Sequence, residues 1–201
     1  MSDKVLVIGV GEIGRPLLEL IREHYETYSL DIHPEAGIPQ CDIVHICFPY
    51  QGDNFIQQTV DYVTKYRPSL TIINSTVAPG TTRRIAEATH SSVVNSPVRG
   101  KHARMKQELR EYTKFIGASD RSAGERAAAH FAKIGLRTRI LATPEATELA
   151  KLTETTYFGL LIAWAQEVER YCDELGADYN EVTSFYEEVR FFPPVKKRTS
   201  S

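Results

Sequence analysis

The feature that most constrains the fold of this chain is a short apolar run followed at once by three spaced glycines. Residues Lys4 to Gly9 read K-V-L-V-I-G, a run typical of a strand buried on both faces of a parallel sheet. The loop Gly9-Val10-Gly11-Glu12-Ile13-Gly14 then has the spacing G-x-G-x-x-G and leads into a helical pattern. In this spacing the first glycine permits a tight turn, the second lets a ligand approach the backbone, and the third lets helix and strand pack closely. The run predicts a strand, a phosphate-binding turn and a helix in series.

An acidic residue ends the next predicted strand, Tyr28 to Asp31, and lies 20 residues after Gly11. A carboxylate at this place would accept hydrogen bonds from a ribose, and its charge would repel the extra phosphate of NADP. We therefore predict NAD as the cofactor, held by the helix N-terminus. The alternative is a plain strand-to-helix turn that binds nothing. The predicted cofactor contacts are Gly9, Gly11, Glu12, Ile13, Gly14, Asp31 and Pro49.

Strand and helix patterns alternate from the first residue to about residue 143, which predicts a doubly wound parallel sheet of the Rossmann type. A helical pattern from Glu12 fades near Tyr25, and a polar, basic stretch from Ser96 to Leu109 is interpreted as a loop with a short helix. Further strands are predicted at Asp42–Phe48, Leu70–Asn74, Ser92–Asn95, Tyr112–Gly117 and Thr138–Leu141. Further helices are predicted at Phe55–Lys65, Gly80–Thr89 (capped by Thr81 or Thr82) and Ala123–Ile134.

The pattern changes at Pro144, where apolar residues begin to recur at intervals of three or four as far as Gly176. This predicts one helix of about 30 residues, roughly 45 Å long. The helix is apolar over more than one stripe, so we expect it to bury its second face against a partner subunit and form a homodimer. A shorter helix is predicted near Tyr179 to Val189. We therefore assign residues 144–190 to a dimerisation region and residues 191–201 to a frayed tail.

Composition excludes several classes of protein. The 24 basic and 26 acidic residues are nearly balanced, which argues against a nucleic-acid binder. No apolar run reaches the roughly 18 residues of a membrane span, and no secretory leader is evident. The three cysteines, Cys41, Cys47 and Cys172, form no C-x-x-C, and the six histidines show no metal-binding spacing. We expect a cytoplasmic α/β protein without a metal, and we expect His45, within a strand, to be a satisfied core residue.

Four further stretches carry a resemblance to a known family. They are Asn74 to Thr82 (N-S-T-V-A-P-G-T-T), Asn95-Ser96-Pro97, Glu148-Leu149-Ala150-Lys151-Leu152, and Glu167 to Asp178. With the glycine loop and Asp31, they make the chain resemble the N-terminal part of the UDP-glucose/GDP-mannose 6-dehydrogenases, which are NAD-dependent oxidoreductases. The resemblance covers nearly the whole chain.

The resemblance implies roles for particular residues. Thr76 matches a threonine near the nicotinamide and the reacting carbon, and Ser75 beside it is a further cofactor contact. Lys151 matches a lysine that stabilises the developing oxyanion, and a lysine on a largely buried helix face suits that role. The implied substrate is a small molecule of the sugar-nucleotide class. The alternatives are a turn built by Ser75 and Thr76, and a surface role for Lys151.

Other residues could contact the substrate. Arg99 and Lys101 belong to a basic run that follows a strand's carboxyl end, where α/β sheets bind ligands; the alternative is a solvated helix face. Thr155 lies one turn after Lys151, where the family usually carries an asparagine. We predict Arg99, Lys101 and Thr155 as substrate contacts.

Two other departures from the family pattern bear on the chemistry. Val98 follows Pro97 where the family has a glutamate, and the chain has no glycine-rich motif carrying the nucleophilic cysteine, nor the second nucleotide-binding domain. Two successive hydride transfers need a thiol to capture the aldehyde between them. We therefore expect a single hydride transfer, or a site that is incomplete in this chain. The alternatives are a one-step dehydrogenase of a small hydroxy acid and a non-catalytic NAD-binding module.

Overall fold

Seven strands form one sheet in the computed structural model, which describes residues 3–31, 37–99 and 104–188. The strand order across the sheet is β2-β1-β3-β4-β5-β6-β7. The strands are β1 (Lys4–Ile8), β2 (Glu26–Leu30), β3 (Ile43–Ile46), β4 (Leu70–Ile73), β5 (Val93–Asn95), β6 (Lys114–Ala118) and β7 (Thr138–Leu141). Strands β1 to β5 pair in parallel, and the reversal of strand order at β1 and β3 is the place where such sheets bind ligands.

Helices cover both faces of this sheet. They are α1 (Gly14–Arg22), α2 (Asp53–Tyr66), α3 (Thr81–Thr89), α4 (Met105–Glu111), α5 (Arg121–Lys133), α6 (Pro144–Leu175) and α7 (Tyr179–Ser184). One apolar cluster contains residues of α1, α4 and α5, and the other contains residues of α2 and α3. The predicted Rossmann-type α/β fold with a long C-terminal helix is therefore confirmed, and α6 begins at Pro144 as predicted.

The sheet departs from the predicted parallel arrangement at β6, which runs antiparallel to β5. The described part of the connection between them holds only one helix, α4, of seven residues. Such a helix is about 10 Å long. The connection, residues 96–113, is long enough for a parallel crossover, but an antiparallel strand needs no crossover helix. The chain therefore returns to the sheet at the edge where β5 ended, and β7 then pairs with β6 in parallel.

The first turn of α6 packs directly on β6 because residue 117 is a glycine. A Cβ atom on Gly117 would lie 2.3 Å from Oγ1 of Thr147 and 2.7 Å from Cα of Pro144. Thr147 is buried, and its hydroxyl donates to the carbonyl of Pro144. The start of α6 is thereby held close against the sheet.

Two compact units divide the chain, Met1–Thr153 and Glu154–Ser201. In the second unit, the end of α6 is followed by α7 and a 3₁₀ turn, Phe185–Glu188. Asp178 caps α7, since its side chain accepts a hydrogen bond of 3.0 Å from the backbone N–H of Glu181. Val168 and Cys172 are buried within this unit, whereas several large apolar side chains of α6 are exposed. These exposed side chains are Phe158, Leu160, Ile162, Trp164, Tyr171 and Leu175.

A cluster of polar side chains lies inside the first unit, on the face of the sheet that α1 and α5 cover. Its members are His45, Cys47, Asn74, Lys114 and His130, all of them buried. The amine of Lys114 donates to the carbonyl of Ser96 and lies 5.3 Å from the centre of the Phe131 ring. His45 is a hydrogen-bonded core residue, as predicted.

Hydrogen bonds join the two buried histidines to each other and to Asn74. Nδ2 of Asn74 donates to the carbonyl of Ile72 at 3.2 Å and lies 3.1 Å from Nδ1 of His45. Nε2 of His45 lies 2.9 Å from Nε2 of His130, so one ring donates there and the other accepts. Burial holds the pKa of His45 well below its usual range and lowers that of His130 to about 4, so both rings are neutral.

Burial of Lys114 makes the stability of the fold depend on pH. Burial lowers the pKa of Lys114 from the ordinary 10.5 to about 7. Between these values the unfolded chain keeps a proton that the folded chain has released, so stability rises with pH. The slope from this group approaches about 1.4 kcal/mol per pH unit. Above pH 9 the effect is opposed, because burial raises the pKa of Cys41 to about 11 and that of Cys47 to about 12.

We predict that the free energy of unfolding in urea increases from pH 7 to pH 9 in the wild-type chain and stays level in Lys114→Met. Methionine fills a similar volume without a proton to release. Lys65→Met, which removes an exposed lysine, is the matched control and should keep the wild-type slope. A wild-type free energy that does not change between pH 7 and pH 9 would show that Lys114 stays protonated in the fold.

Candidate functional site

The glycine loop is built around one very close contact between α1 and the end of β1. A Cβ atom on Gly14 would lie 1.8 Å from the carbonyl oxygen of Gly9 and 3.2 Å from Cβ of Cys47. Gly9 has a φ of 89°, which favours glycine, and its N–H donates to the carbonyl of Leu30 at 2.8 Å. The third glycine of the motif therefore lets helix and strand pack closely, as the spacing predicts.

The N-terminus of α1 leaves the middle of the loop open. Ile13 is the N-cap residue and provides no side-chain cap, and the first turn of the helix contains no acidic residue. A Cβ atom on Gly11 would meet nothing within 4 Å. Gly11 and Glu12 are exposed, and Ile13 is half-buried. The backbone here is open to a ligand, and a helix N-terminus favours an anion.

A cleft of about 270 Å³ opens beside the loop, at the carboxyl ends of β1, β2 and β3. Gly9, Asp31 and Pro49 all line it, so three of the predicted cofactor contacts meet in one place. Phe48, Phe55 and Tyr62 provide aromatic walls. Asp31 is exposed and directly follows β2. The cleft therefore combines an acidic residue with apolar walls suited to a flat ring.

The loop that follows β4 contains the other predicted contacts, Ser75 and Thr76. Ser75 is buried, and its hydroxyl donates to the carbonyl of Phe48 at 2.6 Å. Thr76 is half-buried, and Val77 beside it lies in the core. The hydrogen bond of Ser75 ties this loop to the segment after β3 that forms the wall of the cleft.

A buried carboxylate, Glu148 of α6, holds the far end of the same loop. Oε2 of Glu148 accepts from the N–H of Gly80 at 2.7 Å. Oε1 accepts from the N–H of Thr82 at 2.8 Å and from the Thr82 hydroxyl at 2.6 Å. Glu148 is fully buried. We call this set of three hydrogen bonds the Glu148 clamp.

The predicted cap of α3 is wrong. Thr81 and Thr82 were the expected capping residues, but α3 has Gly80 as its N-cap and no side-chain cap of its own. The cap comes instead from Glu148, distant in sequence, whose charge also suits a helix N-terminus. An exposed pair supports it: Arg83 donates two hydrogen bonds to Glu145, at 2.6 and 3.0 Å. Sequence reasoning missed the role of Glu148 because its partners, Gly80 and Thr82, lie 68 and 66 residues away along the chain.

The predicted catalytic and substrate residues lie in different parts of the chain. Lys151 lies three residues after Glu148, in the first unit. Its side chain is half-buried, whereas a largely buried helix face was predicted. Arg99 is half-buried and lies 5.2 Å from the centre of the Tyr112 ring. Thr155 is exposed and belongs to the second unit. Lys101 lies outside the described residues.

The described residues bear on three further features, namely metal-ligand clusters, membrane-spanning helices and reactive cysteines. No group of three potential metal ligands comes together there, and no helix there is long and apolar enough to cross a membrane. Cys41, Cys47 and Cys172 are all buried free cysteines. Burial raises the pKa of both Cys41 and Cys47, so neither is a thiolate at neutral pH.

The strand order, the glycine loop and the acidic residue after β2 define a Rossmann-type α/β protein. Comparison with known proteins narrows this class. The chain is 25% identical over 225 residues to a UDP-N-acetyl-D-mannosamine dehydrogenase of Methanococcus maripaludis, a match that covers 87% of this chain and 52% of the relative. The chain thus spans about half the length of the curated relatives it matches. Its predicted resemblance to the N-terminal region of the UDP-glucose/GDP-mannose dehydrogenases is confirmed.

Solved structures share the fold. The UDP-D-ManNAc dehydrogenase of Pyrococcus horikoshii superposes with a TM-score of 0.78 at 20% identity, over 95% of this chain and 60% of that one. The 3-hydroxyisobutyrate dehydrogenase of Mycobacterium tuberculosis superposes with a TM-score of 0.79 at 16% identity, over 94% of this chain and 71% of that one. No protein-family model matches the chain.

Two glycine substitutions should separate the structural role of the loop from its ligand-binding role. Gly14→Ala forces a Cβ into the Gly9 carbonyl and should lower stability by roughly 3 kcal/mol. Gly11→Ala meets open space and should keep stability within about 1 kcal/mol of wild type. Its NAD affinity should nevertheless fall by roughly tenfold or more, because the methyl group occupies the path of the diphosphate. Thermal unfolding and titration calorimetry measure both effects, and a Gly11→Ala chain with wild-type NAD affinity would contradict the role of this loop.

Proposed function

We propose that this chain is the NAD-binding part of an oxidoreductase that acts on a nucleotide sugar. The observation that carries the proposal is the cleft in which Gly9, Asp31 and Pro49 meet beside the open backbone of Gly11. Its place at the strand-order reversal of the sheet is where dinucleotides bind in such folds. The similarity to UDP-N-acetyl-D-mannosamine dehydrogenases supports the substrate class.

The residues present fit a dinucleotide. The uncapped N–H groups at the start of α1 and the open space at Gly11 suit a diphosphate, with Glu12 and Ile13 beside it. Asp31 would accept hydrogen bonds from the adenosine ribose, and the aromatic walls of the cleft suit the adenine ring. The negative charge of Asp31 favours NAD over NADP.

The proposed chemistry is one oxidation of a carbinol. When bound, NAD accepts the hydride that leaves the carbinol carbon. Lys151 would stabilise the alkoxide oxygen while a water or a neighbouring group takes the hydroxyl proton. Thr76 would lie beside the reacting carbon, on the loop that the Ser75 hydrogen bond ties to the cleft wall, and Ser75 would contact the cofactor. Arg99, Lys101 and Thr155 are proposed to contact the substrate.

The exposed apolar side chains of α6 support a proposed homodimer formed through residues 144–190. Leu160 and Trp164 are 66% and 54% exposed in the single chain, which is costly for such large apolar groups. Sedimentation equilibrium measures the association directly, and a monomer at high micromolar concentration would contradict the proposal.

NAD should bind more tightly than NADP by roughly tenfold or more, because Asp31 accepts from the ribose and repels the extra phosphate. Asp31→Asn should reduce this preference, because it weakens the binding of NAD and strengthens the binding of NADP. Asp61→Asn, which removes an exposed acidic group from α2 outside the cleft, should keep it. Titration calorimetry with both dinucleotides measures the ratio. If neither binds the wild-type chain, the proposed cofactor site is wrong.

Lys151→Ala should lower kcat by roughly a hundredfold, because the alkoxide loses a charged partner, and should leave NAD affinity within twofold. NADH absorbance with UDP-N-acetyl-D-mannosamine and UDP-glucose measures turnover. Lys65→Ala, on the exposed side of α2, is the control that should keep full turnover. A wild-type chain that binds NAD but turns over none of these substrates would instead be a non-catalytic NAD-binding module.

A further inference from the structure

We propose that Glu148 is a positioning residue, which sets the Thr76 loop and Lys151 in place relative to each other through the Glu148 clamp. The inference rests on the proposed function for its catalytic consequence, but its structural part can be tested without turnover. Glu148 is the one carboxylate among the described residues that accepts hydrogen bonds from both Gly80 and Thr82.

The clamp fixes the end of the loop that carries Thr76. Ser75 anchors the loop at its start through the carbonyl of Phe48, and the clamp anchors it at its end through Gly80. Thr76 lies between these two anchors, and the loop is only six residues long from Ser75 to Gly80. A short loop held at both ends has little freedom, so the position of Thr76 depends on both contacts.

The clamp also holds the part of α6 that carries Lys151. Residues three apart on a helix lie on the same face, so Lys151 follows Glu148 on the side that meets α3 and the loop. Burial is the main cause of the low pKa of Lys114, and the charge of Lys151 lowers it further. Lys151 is thus near enough to Lys114, whose amine donates to the carbonyl of Ser96, for its charge to act there.

The cap of α3 comes from α6, because its own N-cap residue cannot supply one. Gly80 has no side chain, and its φ of 91° favours glycine. Glu148 is fully buried, and each of its oxygens accepts at 2.8 Å or less. A carboxylate contributed by α6 instead joins two elements that each carry one residue of the proposed site.

The test compares Glu148→Gln with Glu145→Gln. Glutamine keeps the size of the side chain but turns one acceptor into a donor, which then faces the N–H of Gly80 or Thr82. Glu145→Gln changes the same turn of α6, and its partner is the exposed Arg83, so it is the matched control. Thr82→Val, which removes one donor from the same carboxylate, replaces Glu148→Gln if that variant fails to fold; Thr82→Ser is its control.

The first measurement is the rate at which Lys151 reacts with sulfosuccinimidyl acetate, followed by mass spectrometry with Lys65 as internal reference. Glu148→Gln removes a negative charge three residues before Lys151 on α6 and loosens the start of that helix. Both changes favour the neutral amine of Lys151, which is the form that reacts. The rate for Lys151 should therefore rise about threefold or more in Glu148→Gln. It should stay within twofold in Glu145→Gln.

The second measurement is kcat for NADH formation with UDP-N-acetyl-D-mannosamine. Misplacement of a catalytic group by about 1 Å can cost roughly a hundredfold, so kcat should fall in Glu148→Gln while NAD affinity stays within threefold. A wild-type Lys151 labelling rate and an unchanged kcat, together with a lower Tm, would show that Glu148 only caps α3 and would overturn the proposal. If the wild-type chain has no turnover, the proposed function fails, and the labelling rate alone decides the role of Glu148.

Discussion

The contact between Gly14 and the carbonyl of Gly9 is the constraint on which the rest of the architecture depends. It brings the first turn of α1 within van der Waals distance of the end of β1, where any side chain larger than hydrogen would collide. That approach places the uncapped helix N-terminus and Asp31 beside one cleft. The chemistry proposed for the site thus follows from a steric fact about two glycines.

A second constraint comes from charge placed inside the protein. Glu148 is buried, yet three donors from α3 and its N-cap satisfy it, so its burial joins two elements instead of destabilising either. Lys114 is buried with a single carbonyl partner and an aromatic ring, and its pKa falls accordingly. The charged form of Glu148 accepts three hydrogen bonds, whereas the amine of Lys114 donates to one carbonyl.

Much of the fold could be predicted because its signals are local. Apolar runs located β1, β4 and β7 to within a residue, and the three-to-four spacing after Pro144 located α6. The direction of β6 could not be predicted, because it depends on how α4 and its neighbouring residues return to the sheet edge. The prediction for the cap of α3 was wrong for a similar reason, because the capping carboxylate lies 66 residues further along the chain than Thr82.

The sequence by itself determined the glycine loop, the acidic residue 20 positions later, the alternation of strands and helices, and the resemblance to nucleotide-sugar dehydrogenases. These are carried by residue type and spacing along the chain. Tertiary structure alone decided the antiparallel strand, the hydrogen bond between His45 and His130, and the partners of Glu148. Each of these depends on groups that only folding brings within hydrogen-bonding distance, and no periodicity in the sequence records such a meeting.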